Sequence, residues 1–108
     1  MDERPTARQL QMEKNARRRA KRAVFDGVMA RLYSRIAFKA RSEWTRLVFE
    51  VPPLVLGTPS FNVGECTIHL CRALRRDGYL VEVFGSNVLY VSWDRSELLA
   101  AAEQAGMH

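Results

Sequence analysis

The spacing of apolar residues along this chain changes character several times, and each change delimits an element. From Ala7 to Arg41 no proline intervenes and strong helix formers dominate, which predicts one long helix. Its first half, up to Arg22, has only Leu10 and Met12 as large apolar side chains. In its second half Phe25, Met29, Leu32 and Ile36 recur at a 4-3-4 spacing, flanked by Val28, Tyr33 and Phe38, as on a single buried helix face. The pattern predicts a helix whose C-terminal half docks on a body while its N-terminal half projects. The stripe lasts about two heptads, too short for a coiled coil. Gly27 within it costs about 1 kcal/mol relative to alanine and argues against a uniformly stiff rod. Residues 1–6 are expected to fray, with Pro5 at or near the first turn, where its missing N–H does no harm.

A period of two then takes over. Leu47-Val48-Phe49-Glu50-Val51 alternates and is rich in β-forming residues, predicting a strand with Leu47, Phe49 and Val51 on its buried face. Pro52-Pro53 ends it, and Leu54 to Ser60 is an apolar loop broken by Gly57 and Pro59. A second helix is expected over 62–77, with Asn62 as N-cap, Glu65 at the capping-box position and Gly78 as the stop. Its apolar face comprises Val63, Cys66, Thr67, Leu70, Cys71 and Leu74. Tyr79–Phe84 and Val88–Trp93 flank Gly85-Ser86-Asn87, the clearest hairpin signal in the chain. Parity sets Val81 opposite Val91 and Val83 opposite Leu89, and turns Glu82 and Ser92 to solvent. Asp94 as N-cap, with Glu97 at the capping-box position, starts a last helix that Gly106 stops. The expected fold is α+β, with a small three-stranded antiparallel sheet packed with helices in the order α-β-α-β-β-α. Residues 1–24 form a basic helical arm and residues 25–108 a single small domain, whose core the docked half of the long helix and the last helix complete.

Charge adds a partner to this picture. Residues 1–46 carry 13 Lys/Arg against 5 Asp/Glu, a net +8, and residues 47–108 carry 4 against 7, a net −3. A basic arm on a mildly acidic body suits an anionic partner, or else is a solvated helix face. The candidate nucleic-acid-binding residues are Lys14, Arg17, Arg18, Arg19, Lys21 and Arg22 on the arm, with Arg72, Arg75 and Arg76 on the second helix. Phosphate contacts from such a cluster are salt-dependent and indifferent to sequence. The run has no interleaved aromatics, which argues against base stacking along the arm, and it also fits a nuclear localisation patch. Leu54, Val55, Leu56 and Phe61 are candidates for a protein interface if they form an exposed apolar patch. No apolar run approaches the ~20 residues of a membrane span. The segment from Met1 to Lys14 lacks the apolar centre of a secretory signal, so the chain is expected not to be secreted. Cys66 and Cys71 would diverge by about 140° on a helix, so no internal disulfide and a reducing compartment are expected.

Chemistry-bearing side chains are sparse. Cys66, His69 and Cys71 scatter around their helix with no second ligand pair elsewhere, so neither a metal nor another cofactor is expected. Ser60, Glu65, Cys66 and His69 provide no nucleophile with an oriented base, so no catalytic residue, no small-molecule substrate and no enzymatic activity are expected. A helix followed by a hairpin permits an alternative, a winged-helix-like DNA-binding or transcription-regulating module with Arg72, Arg75 and Arg76 at the DNA. The difficulty is that residues 52–61, with three prolines, cannot supply the helix that should precede the recognition helix.

Phe49-Glu50-Val51-Pro52, Gly57, Pro59, Phe61, Cys66, Leu74, Gly78-Tyr79, Asn87 and Leu89-Tyr90-Val91-Ser92-Trp93 form a pattern of their own. It resembles a family of small uncharacterised proteins encoded by nucleocytoplasmic large DNA viruses. The resemblance spans residues 46–93 and departs from the family at Gly85-Ser86, where a proline is common. It is a signature of packing and carries no functional residues. It implies a small non-enzymatic viral protein, virion-associated or part of a viral assembly, in the host cytoplasm or nucleus. The partner it implies is a viral structural protein or a second copy of the chain.

Overall fold

A computed structural model describes residues 4–53, 55, 57 and 60–106 and has the expected α+β order. The elements are α1 (Ala7–Arg41), β1 (Arg46–Glu50), α2 (Val63–Arg76), β2 (Leu80–Phe84), β3 (Val88–Ser92) and α3 (Arg95–Gly106). Thr6, expected to fray, instead caps α1. Its Oγ1 accepts the Gln9 N–H at 3.1 Å while Gln9 Oε1 accepts the Thr6 N–H at 2.8 Å, a reciprocal capping box. Pro5 lies just outside that cap. At the other end the Glu43 N–H reaches the Ala40 carbonyl at 3.2 Å and the Trp44 N–H the Lys39 carbonyl at 2.9 Å. This is a Schellman ending, with Glu43 held at φ 67° where glycine is the usual occupant. The same ending closes α2 with Gly78 at φ 95°, as its sequence position suggested.

The inner face of the sheet meets α1 and α2. Phe25, Val28, Leu32 and Ile36 are the buried residues of α1 in the core, so Val28 takes the central place and Met29 packs at its margin. Phe38, about 160° around the helix from Ile36, is exposed. α2 contributes Cys66, Leu70, Cys71 and Leu74, and Asn62 Oδ1 caps it by accepting the Glu65 N–H at 2.9 Å. Both cysteines are free and buried, and burial pushes the Cys66 thiol up to about 11. The sheet is antiparallel in the order β1-β3-β2, with Val91 between Leu47 and Val81 and Leu89 between Phe49 and Val83. That is the register that parity requires of the hairpin.

The outer face departs from expectation at two residues. Ser92 does point outward, but it is fully buried, because α3 begins directly over it and the Asp94 N–H donates to its Oγ at 3.2 Å. Asp94 Oδ2 caps the Glu97 N–H at 3.3 Å, yet Glu97 does not return the bond. Its carboxylate accepts the Tyr90 hydroxyl at 2.8 Å and pairs with Arg46 at 3.0 Å, tying α3 across β3 to β1. Hydrogen bonds from Ser92 and Tyr90 hold the Glu97 carboxyl below its ordinary range, and the Ser96 hydroxyl does the same for Asp94. α3 therefore clasps the outer face and buries no residue of its own, so it does not complete the core as expected. The molecule extends 67 × 36 × 22 Å with a radius of gyration of 18.3 Å. A compact chain of this length would have about 13 Å, and α1, about 52 Å long, accounts for the excess. Among the described residues no helix is long and apolar enough to cross a membrane.

Candidate nucleic-acid interface

All of α1 from Ala7 to Ala23 is exposed, and Val24 is its first buried residue. The docking face of the helix is set by Phe25, Val28, Leu32 and Ile36. Projected back at about 100° per residue, Lys14, Arg17, Arg18, Lys21 and Arg22 all fall within about 75° of that face, and Arg19 falls about 135° from it. Most of the arm's cations thus leave the helix on the side that meets the body, and they overhang its flank. Two contacts mark where the overhang begins. Lys21 Nζ pairs with Glu65, the third residue of α2, and lies 5.8 Å from the centre of the Phe25 ring. Arg17 and Lys21 also border a recess against Phe61 and Asn62 at the start of α2.

From that point a basic seam follows α2. Glu65, Ile68, His69, Arg72 and Arg76 lie along one stripe turned away from the sheet, and with Lys21 and Phe25 they line an open cleft of about 460 Å³. Phe25 forms its floor, 5.3 Å from the His69 ring and edge-on to Phe61 at 6.4 Å. At the far end the Tyr33 hydroxyl donates to Asp77, and that bond, with partial burial, pushes Tyr33 up to about 12. Lys21–Glu65 and Tyr33–Asp77 therefore clip α1 to α2 at either end, with Arg72 and Arg76 along the seam. Among the described residues no acid forms an ion pair with Lys14, Arg17, Arg18, Arg22, Arg72 or Arg76. Such a surface can hold a chain of phosphates.

Two candidate cations stand apart from the seam. Arg19 points to the opposite side of the arm, and Arg75 sits on the flank of α2, where its Nη2 donates to the Val81 carbonyl at 2.8 Å. Arg75 thereby joins the last turn of α2 to β2. Of the apolar loop, Val55 and Phe61 are half-buried against the core, and Leu54 and Leu56 lie outside the described residues. Among the described residues no group of three His, Cys, Asp or Glu could hold a metal ion. Large exposed apolar side chains gather instead at Phe38, which was expected beside the buried stripe of α1, and at Trp44 and Val48, which sequence reasoning passed over. The signal available was an outward valine two residues after Arg46, close to a tryptophan at a helix end.

The model of a family of unknown function, DUF5759, matches residues 5–75. The match takes in α1, β1 and all of α2 but its last residue, and with them every cation of the seam except Arg76. No curated protein and no solved structure matches the chain.

Proposed function

We propose, for a chain that belongs to DUF5759 and so to a family of unknown function, a non-enzymatic role in binding nucleic acid. The arm and the outer stripe of α2 hold one phosphate backbone between them. The observation that carries this is the shared direction of the charges. Lys14, Arg17, Arg18 and Arg22 leave the arm within about 75° of its docking face, and Arg72 and Arg76 line the α1–α2 seam that begins where the arm meets the body. Cations gathered along one helix face bind chiefly through phosphates, so affinity is steeply salt-dependent and nearly blind to sequence. The resemblance of residues 46–93 to small proteins of large DNA viruses supports a viral setting, with the chain in the virion or a viral assembly and viral nucleic acid as its partner. Fluorescence anisotropy with a labelled random-sequence duplex tests the role. Tight binding at low salt that weakens steeply as salt rises is expected, and no binding at low salt would end the proposal.

The winged-helix-like alternative has one observation in its favour. α2 runs directly into a hairpin whose tip, Gly85 and Ser86, is exposed, and β3 lies between β1 and β2. In that arrangement α2 reads base edges while the hairpin grips the backbone. Repeated selection from random duplexes separates the two. A recovered consensus sequence supports the alternative, and its absence with retained binding supports backbone recognition.

A further inference from the structure

The free edge of the sheet carries a second surface, separate from the basic seam. β1 pairs with β3 alone and closes the sheet on one side. Bonds from the Val51 N–H to the Asn87 carbonyl, 2.8 Å, and from the Trp93 N–H to the Thr45 carbonyl, 2.9 Å, fix which residues of this strand turn inward. Bonded positions alternate in an antiparallel ladder, so Leu47 and Phe49 also address β3. Arg46, Val48 and Glu50 therefore present their N–H and C=O groups to the open side.

α1 overhangs this edge, with the Arg35 guanidinium 5.9 Å from the centre of the Phe49 ring. Between helix and strand runs a groove. A section of about 720 Å³, bordered by Arg35, Phe38, Trp44 and Val48, meets another of about 520 Å³, bordered by Arg31, Arg35 and Glu50. Phe38, Trp44 and Val48 are 65%, 57% and 62% exposed, an apolar cluster on a strand edge that nothing in the chain covers among the described residues. Trp44 is held in place by the helix ending, through its N–H on the Lys39 carbonyl, and the Lys39 ammonium lies 4.8 Å from the centre of its ring. Arg31, Arg35 and Lys39 outnumber Glu50 along the groove, while Arg46 is already answered by Glu97.

We infer that this groove is a peptide-binding site for an extended, acidic segment of a partner protein, added to the sheet as a fourth strand. The segment's backbone bonds to Arg46, Val48 and Glu50, an apolar side chain rests on Phe38 and Trp44, and its carboxylates face Arg31, Arg35 and Lys39. Five residues of β1 span about 17 Å, so the footprint is about five residues of the partner. A second copy fits poorly. Edge-to-edge pairing would bring two overhanging α1 helices over strands about 4.8 Å apart, whereas packed helices need 8–10 Å. Alternating N–H and C=O groups along a strand complement another polypeptide backbone and match neither bases nor phosphates.

The test is selection of a displayed library of random twelve-residue peptides on the immobilised full chain, followed by anisotropy measurements with the recovered peptides. The recovered peptides should be acidic with alternating apolar positions. Methylating their alternate backbone nitrogens should weaken binding by about tenfold or more, the loss expected for two or three hydrogen bonds. Val48→Pro removes one N–H that faces the open side and should weaken binding severalfold, the loss of a single hydrogen bond. The double variant Arg35→Glu, Lys39→Glu, confined to the helix surface, should do so through charge even if the proline variant unfolds. The site is refuted if no peptides are enriched, if those enriched are neutral or basic, or if the charge variant binds them like the parent chain. A dimer that Val48→Pro dissolves would give the edge to a second copy instead. Displacement of the peptides by an oligo-dT strand whose binding needs Trp44 would give it to nucleic acid.

Discussion

Changing Lys14, Arg17, Arg18 and Arg22 together to alanine removes the overhanging half of the basic seam and leaves the docked half intact. The seam offers six cations that no acid answers among the described residues, these four with Arg72 and Arg76. If each neutralises one phosphate, the logarithm of the binding constant falls with the logarithm of salt with a slope of about −5. Raising salt from about 50 to 200 mM then costs the parent chain roughly a thousandfold in affinity. With two cations left the slope becomes about −2, and the same step costs roughly tenfold. The four residues are exposed and alanine is a strong helix former, so stability should stay within about 0.5 kcal/mol. Anisotropy of a labelled duplex across that salt range, beside a thermal melt by circular dichroism, reads both quantities. Arg19→Ala is the internal control, since Arg19 leaves the arm on the far side and should change the slope far less than Arg18→Ala. A quadruple variant that keeps a slope near −5, or an Arg19 effect equal to that of Arg18, refutes the reasoning.

Three further outcomes follow from the fold. Tyr33→Phe removes the bond to Asp77 that clips α1 to α2 and should cost about 1 kcal/mol in urea denaturation. Because folded Tyr33 titrates at about 12 against 10.0 for the free group, its contribution is complete below pH 10 and lost as pH rises through 12, a loss the phenylalanine variant should lack in thermal melts. Asp94 and Glu97 are shifted the other way, so their support for α3 is present above the ordinary values of 3.8 and 4.5 and lost as pH falls through the lower folded ones. Amide signals of 95–106 should therefore move toward unstructured positions in acid before those of the core helices do. Glu43→Gly relieves a side chain held at φ 67° and should stabilise the chain by about 1 kcal/mol, a rise of roughly 4–8 °C in melting temperature.

Local devices were legible in the sequence because their causes are local. Asn62 and Gly78 bound α2 through bonds that span only a few residues, and Val81 faces Val91 because a three-residue turn leaves no other register for two apolar faces. Ser92 and Glu97 were misread for the opposite reason. Ser92 is covered by α3 folding back over its own strand. The Glu97 carboxylate is claimed by Tyr90 of that strand and by Arg46 across the sheet, and an ordinary capping position gives no sign that a distant arginine will do so. The basic run was equally plain, but its sidedness was not, since direction on a helix acquires meaning only from the face that docks. Arg19 and Arg75 joined the candidate set by composition and are parted from the seam by azimuth and by the Val81 carbonyl. The cluster of Phe38, Trp44 and Val48 was not legible because these residues meet only where β1 becomes an edge. Strand order decides that, and no local pattern encodes it.

Whether the arm and α2 hold the same backbone can be read from one titration. Isotopically labelled full chain is followed by amide and arginine side-chain NMR as an unlabelled duplex of about one helical turn is added at low salt. If the seam is the interface, signals of residues 14–22 and 68–76 move together and saturate at the same ratio of duplex to protein, with Arg17, Arg18, Arg72 and Arg76 among the largest changes and Arg46–Glu50 unmoved. Changes confined to the arm, with the α2 signals still in place at saturation, would contradict a shared surface and leave the arm as an independent basic helix.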